Sequence, residues 1–397
     1  MSTLKVNTVL SADTPTVNIA DGLNVTGVST VATLNTTNLI NATPLTNRNL
    51  IINGAMQVAQ RGTSQASITS SGYYNVDRFR TALNTGTVTT SQSTDVPTGE
   101  GFSKSFKLDV TTADASLSGT NFLHVQQAIE GQNLQSLAYG TSGAKTITLS
   151  FFVKSNKTGI YCISLEKTDN TRYDFTVEYT INSANTWEKK TITISPDSNI
   201  QAANGAIDDD NGKGFNLKFV LAAGGDRDNG TNNTWNSSTP AHSTSNQVNL
   251  LDSTSNEWYL TGVQLELGSV ATPFEHRSFG DELERCRRYF QIIKGGSDDY
   301  TGFSGYSEST TTCRFPVFFR PPMRSDPTLG VSGTLRFQGA TNDSATFTSG
   351  LALQQINSTF DGASIQVTGT SSLGAADRPG NLQFKAADSS ISFDAEL

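Results

Sequence analysis

The sequence predicts an all-β protein: a jelly-roll sandwich body, an extended N-terminal segment before it, and a smaller C-terminal β-domain joined through one short helix. Three observations lead there. Apolar and polar residues alternate in short runs, as in Thr146 to Lys154 and Glu257 to Leu267, which is the period of a half-buried strand. Clusters of Gly, Asn, Asp and Ser punctuate those runs at short spacing, as an antiparallel sandwich requires. Only 35% of the 397 residues are apolar, and the abundance of Ser, Thr, Asn and Gly favours strands and loops over helices.

Residues 1–48 carry only Lys5, Asp13, Asp21 and Arg48 as charges and repeat short units such as Val17-Asn18-Ile19 and Leu23-Asn24-Val25-Thr26-Gly27. A lone chain of this composition buries too little surface to offset the entropy of ordering. The segment is therefore either a disordered arm or a narrow shaft in which three chains supply one another's core. Residues 49–277 form the sandwich domain, with strands expected at Phe102 to Val110, Thr146 to Lys154, Ile160 to Lys167, Arg172 to Thr180, Lys189 to Ile194, Phe215 to Ala222 and Glu257 to Leu267. Between Thr120 and Ala138, Val125, Ile129 and Leu134 have amphipathic spacing while Gly131 limits a helix, and the stretch is not assigned.

Residues 278–397 open with the helix. Ser278 stands three residues before Asp281 as an N-cap with an acidic N3 partner. Asp281, Glu282 and Glu284 come early and Arg285, Arg287 and Arg288 late, which complements the helix dipole. The spacing predicts i,i+4 pairs between Asp281 and Arg285 and between Glu284 and Arg288. Leu283, Cys286, Tyr289 and Phe290 make the apolar edge. Further strands are expected at Tyr289 to Ile293, Thr311 to Phe319, Thr334 to Phe337, Ala345 to Thr348, Ser364 to Thr368, Leu382 to Lys385 and Ile391 to Phe393. Arg320-Pro321-Pro322-Met323 ends the second of these, because proline has no ladder donor.

A formal charge of -8 without a basic run leaves nucleic acid without the cations it needs. No stretch reaches the eighteen or so apolar residues of a membrane span, and Met1-Ser2-Thr3-Leu4-Lys5 lacks a signal-peptide core, so synthesis in the cytoplasm without membrane insertion is expected. Cys162, Cys286 and Cys313 are odd in number and lack a CxxC spacing, which reads as buried free thiols.

No nucleophile elbow, Walker loop or paired-histidine motif is present, and His124, His242 and His276 stand far apart. His276, beside Glu275 and Arg277, has the chemistry of an acid or base, but its place in a junction motif favours fixing the turn. Asp208, Asp209, Asp210, Asp226, Asp228, Asp298 and Asp299 are the acids open to a glycosidase-type pair or to calcium. All lie among Gly and Asn, as solvated loops do, and no EF-hand register is met. No cofactor is expected, calcium being the one ion considered. Sugar recognition uses flat aromatic faces with amides nearby. Two loops have that mixture: Trp235 with Asn232 and Asn233, and Tyr300, Phe303 and Tyr306 among Gly and Ser. Each has a plainer reading, Trp235 as an edge aromatic over the core and the tyrosine loop as the seal of a trimer axis.

Two stretches carry a resemblance. Thr261-Gly262-Val263-Gln264-Leu265-Glu266-Leu267-Gly268 followed by Ala271-Thr272-Pro273-Phe274-Glu275-His276-Arg277-Ser278-Phe279-Gly280 and Glu284-Arg285-Cys286-Arg287-Arg288-Tyr289-Phe290-Gln291 is one. Asn49-Leu50-Ile51-Ile52-Asn53-Gly54-Ala55-Met56 with Gln60-Arg61-Gly62-Thr63 and Asp77-Arg78-Phe79 is the other. Together they resemble segments shared by many bacteriophage tail fibre proteins. In addition, Thr146 to Lys154 and Asn185 to Ile192 resemble core strands of carbohydrate-binding sandwich modules. The fibre resemblance implies a homotrimeric virion tail protein, attached to other tail proteins through its N-terminus and adhering to host surface glycan by binding rather than catalysis. In that setting Leu283, Cys286 and Tyr289 are expected near the threefold axis. A structural connector whose receptor tip lies on another protein, a glycan depolymerase and a monomeric lectin are the alternatives.

Overall fold

The computed structural model describes residues 47–237, 241–339, 344–347, 350–354, 360–368 and 376–397. The expected segment 1–48 lies outside these, apart from its last two residues. Two antiparallel sheets form the sandwich. The first has the strand order Ser64–Ile68, Thr87–Ser93, Ser105–Thr112, Glu257–Leu267, Ile147–Ser155, Glu188–Ile194. In the second the order is Thr234–Asn236, Tyr173–Ile181, Gly159–Lys167, Lys213–Ala223, Phe122–Glu130, Arg80–Leu83, Gly72–Tyr73. The chain crosses repeatedly between the sheets, as from Ile147–Ser155 in the first to Gly159–Lys167 in the second, in the manner of a jelly roll.

Alternation explains the packing. Phe215, Leu217, Phe219 and Leu221 point inward from one strand and meet Phe151 and Trp258 from the facing sheet. Phe151 and Phe219 lie edge to face at 5.2 Å, and Phe219 and Trp258 are 6.0 Å apart. The unassigned stretch is the strand Phe122–Glu130, followed by two short 3-10 turns. Every residue of that strand after Phe122 is buried, so it shows no clean period of two.

The C-terminal domain has its own core around Phe315, Phe337, Phe384 and Phe393. One sheet is Phe290–Gly295, Ser389–Asp394, Thr328–Ser332. The larger sheet has the order Ser344–Phe347, Leu335–Gly339, Pro379–Phe384, Tyr300–Ser307, Thr312–Phe318, Gly362–Thr368, Leu351–Gln354. Between the domains stands the helix Phe279–Arg287, whose Asp281 N–H is capped by Ser278 Oγ at 3.2 Å. The expected i,i+4 pairs are replaced by longer-range ones: Arg285 donates to Asn47 at 2.7 Å and Arg288 pairs with Glu130 at 2.7 Å. The three cysteines are free and buried, and burial raises the Cys313 thiol to about 12.

Candidate functional site

The residues carrying the fibre-type resemblance meet in space and hold the two domains together. Segment 49–54 runs beside the strand Glu257–Leu267 where that strand bulges at Gly262. Asn49 Nδ2 donates to the Val263 carbonyl at 3.0 Å, and the Val263 N–H donates to the Gly54 carbonyl at 3.0 Å. Arg277 bonds the carbonyls of Asn49 and Ile51 and pairs with Glu275 at 3.0 Å, while Glu282 accepts from the Asn53 N–H at 2.5 Å. Arg78 is fully buried, pairs with Glu396, donates to the Ala128 carbonyl at 2.7 Å and lies 3.3 Å over the Tyr289 ring. Arg61 sits 3.5 Å over Phe290 and pairs with Asp394 at 3.0 Å. Buried charges persist only when paired and hydrogen-bonded. This cluster is a clamp between domains whose charged groups are taken up by one another and by backbone carbonyls.

The clamp corrects part of the trimer expectation. Cys286 and Tyr289 are buried within the single chain, and the Tyr289 hydroxyl donates to Glu130 at 2.5 Å. Neither has surface left for a threefold partner. Leu283 is half-buried. Trp235 is corrected as well: it is 4% exposed, packs on Phe175 at 5.2 Å, and its indole N–H donates to the Ser195 carbonyl at 3.0 Å. It is the edge aromatic over the core, because a strand face one residue away would have put it in solvent. Asn232 and Asn233 remain exposed beside it. Asn232 accepts from the Glu178 N–H at 3.0 Å.

The second candidate loop is a strand. In Tyr300–Ser307 the residues Thr301 and Ser307 are buried and Phe303 packs on the domain core, while Tyr300, Ser304 and Tyr306 share the outer face. Gly302, at a φ of 84°, makes the bulge that the Gly-rich sequence disguises as loop. Tyr300 is 60% and Tyr306 42% exposed, and Phe318 on the neighbouring strand is 73% exposed. Tyr306 and Phe318 flank an open trough of about 380 Å³ lined also by Arg314, Pro316, Gly362 and Ser364. At its rim Arg314 pairs with Glu308 at 2.9 Å, and Gln366 donates to the same carboxylate at 3.3 Å. The hydrogen bond from Arg314 holds the Glu308 carboxyl below its usual range. Aromatic faces, a charged fork and amides thus lie along one surface. Tyr300 stands roughly 20 Å further along the strand by its residue spacing, with the Ser304 hydroxyl bonded to Asn381 between the two tyrosines.

The histidines read as distant in sequence are not distant in the fold. His124 and His242 meet edge to face at 5.2 Å on the outer side of the second sandwich sheet. Around them Lys218 pairs with Glu166 at 2.8 Å and Arg172 bridges Glu166 and Asp174 at 3.0 Å. Burial pushes the Glu166 carboxyl up, but Lys218 and Arg172 outweigh it and hold the group at about 2. Residues 241–244 are buried against this layer, so it is a sealed polar layer. His276 packs against Phe102 at 5.2 Å and Phe274 at 4.9 Å. The loop acids serve their own turns: Asp210 accepts from the Gly212 N–H at 2.8 Å, Asp299 from the Gly296 N–H at 2.7 Å, and Asp298 pairs with Lys385 at 2.9 Å.

No family model matches the chain, and no curated protein matches it. Among solved structures, it is similar to the enzymatically active domain of tailspike protein 4 of bacteriophage CBA120, at 17% identity and a TM-score of 0.30, covering 55% of this chain and 21% of that one. It is similar also to TmCBM61 in complex with β-1,4-galactotriose, at 11% identity and a TM-score of 0.27, covering 56% of this chain and 100% of that one. A family 11 carbohydrate-binding module from Clostridium thermocellum, in complex with a mixed-linked tetrasaccharide, matches at 11% identity and a TM-score of 0.26, covering 53% of this chain and 98% of that one. Likenesses of this degree assign neither a ligand nor an activity.

Proposed function

We propose that this protein is a bacteriophage tail fibre or tail-associated adhesion protein, a homotrimer that attaches through its N-terminal segment to other tail proteins and binds host surface glycan without catalysis. One observation carries the binding part: three of the five exposed large hydrophobic side chains among the described residues lie on the outer face of the C-terminal domain. Exposed aromatics beside a fork of Arg314, Glu308 and Gln366 suit a sugar, whose ring presents C–H surface on one side and hydroxyls at its rim. The fibre part is supported by the resemblance of the two clamp segments. Three weak contacts presented together become one firm attachment through effective concentration.

Binding of full-length protein to host cells and to their purified envelope glycan tests this reading. Replacing Tyr306 and Phe318 by Ala should weaken glycan binding about thirtyfold, the equivalent of about 2 kcal/mol, with the melting temperature unchanged. Retained binding with no change in affinity would overturn the site. Light scattering should return the mass of three chains, and a single-chain mass would overturn the trimer. Phe318 is more apolar than a sugar needs, and that favours one second reading, a connector whose aromatic face docks another tail protein. Glycan that fails to bind trimeric protein would move this reading ahead.

A further inference from the structure

On the outer face of the first sandwich sheet, apart from the trough and next to the Glu275–Arg277 end of the clamp, a half-enclosed pocket of about 390 Å³ opens beside the bulge of Glu257–Leu267. Its apolar wall is a nest of rings. Phe102 contacts Phe152 at 5.5 Å, Phe274 at 5.0 Å and His276 at 5.2 Å, and Phe152, Phe274 and His276 line the pocket itself. The bulge makes the space: Gly262 has a φ of 62°, and a Cβ there would meet Phe102 at 2.6 Å and Phe152 at 2.9 Å. Glycine at this position lets the strand pass close to the rings without filling the recess.

The polar lining supplies an exposed carboxylate, an exposed ammonium and a hydroxyl. Glu100 and Lys189 at this pocket make no hydrogen bond or ion pair with the described residues, while the Lys189 ammonium lies 5.7 Å from the centre of the Phe152 ring. The neighbouring cations behave otherwise, Lys190 pairing with Glu188 at 2.6 Å and Lys154 with Asp95. Ser150, 5% exposed, also presents its hydroxyl to the pocket. One acceptor, one donor and one group that is both therefore surround an aromatic wall.

The geometry points to a second, separate carbohydrate site: a pocket for one neutral pyranose ring, the terminal residue of a glycan. Its volume lies at the low end of small-ligand pockets, which suits one ring rather than the interior of a chain. The ring's C–H face would lie on Phe152 and Phe274, and its hydroxyls would donate to Glu100 and accept from Lys189 and Ser150. Facing charges of opposite sign favour a neutral ligand over a uronic acid, since Glu100 would repel a carboxylate. The class of ligand rests on the adhesion reading; the site does not share a residue with the trough.

Saturation-transfer NMR and titration of the full-length protein with a panel of neutral hexoses and their N-acetylated amines test the pocket. At least one sugar should bind wild type, with affinity reduced fivefold or more by Lys189→Ala and by Glu100→Gln. Both positions are exposed and unpaired, so the melting temperature should stay put. The Tyr306→Ala, Phe318→Ala protein should keep monosaccharide binding. If no sugar of the panel binds wild type, or if both pocket variants bind as wild type does, the pocket assignment is wrong. Polymer binding that depends on Tyr306 and Phe318 would then still stand, whereas polymer binding unchanged in the Tyr306→Ala, Phe318→Ala protein would overturn the trough alone.

Discussion

His124 and His242 are held neutral by burial, which depresses His124 from 6.5 to about 3 and His242 further, with Lys218 adding repulsion to both. His124 Nε2 is bonded to the Gln126 oxygen at 2.8 Å, and ring contact replaces water for the remainder. The stability this arrangement contributes is full above pH 6.5 and falls as pH drops toward 3, because the unfolded chain takes up protons that the folded one refuses. At pH 5 each histidine costs roughly 2 kcal/mol relative to neutral pH. Asp77 runs the other way. Burial raises its carboxyl to about 6, so acidification lets the folded state accept a proton and restores roughly 1 kcal/mol over the same interval. Urea unfolding at pH 7 and pH 5 should therefore show a net loss of roughly 3 kcal/mol in wild type that gives way to a gain of roughly 1 kcal/mol in the His124→Gln, His242→Gln protein. An equal loss in both proteins would mean that the pair is not the source.

The strand Glu257–Leu267 and its bulge show how an element is built from both ends of the domain. Segment 49–54 lies so close that a Cβ on Gly54 would meet the Val263 carbonyl oxygen at 2.1 Å, and backbone cannot yield as a side chain can. Gly54→Ala should cost more than about 3 kcal/mol by urea unfolding, the range of severe packing faults. Gly225→Ala, with nothing within 4 Å of its Cβ, should stay within about 0.5 kcal/mol. Similar costs at the two sites would show that close approach is not what selects glycine at Gly54. This strand was legible residue for residue, because it alternates and ends at a glycine. So was the Ser278 cap, whose chemistry is local. Phe122–Glu130 was not, since Gln127 follows Leu123 and Val125 in the alternating register, bonds the Ile52 backbone and breaks the apolar pattern. Arg80–Leu83 and, at the sheet edge, Gly72–Tyr73 are short strands whose pairing is decided by partners about forty or ten residues away rather than by their own pattern. The trough was half legible. Tyr306 stood out, but Arg314 and Phe318 join it only through strand pairing.

At the scale of the molecule, the segments that resemble fibre proteins have a structural purpose that their sequence alone does not disclose. They meet because Arg78, Glu396, Arg61, Asp394, Glu130 and Arg288 are distributed over the sandwich, the helix and the C-terminal end of the chain, and their ion pairs with one another form only when both domains are in place. Such a clamp makes the pocket on the sandwich and the trough on the C-terminal domain parts of one body, so that a glycan bound at both would lose little further freedom. Breaking it on one side leaves a buried, unpaired guanidinium. Glu396→Gln should accordingly destabilise the protein by about 3–5 kcal/mol and expose the helix Phe279–Arg287 to protease. The double replacement Arg78→Met, Glu396→Met removes both charges and should recover most of that loss, because an apolar pair of similar volume often matches a buried ion pair. Calorimetry and limited proteolysis of the two proteins decide the matter. A double variant as unstable as Glu396→Gln would mean that Arg78 contributes through its packing on Tyr289 and its bond to the Ala128 carbonyl, and the clamp would then be a stack of rings and carbonyls around a cation rather than an ion pair.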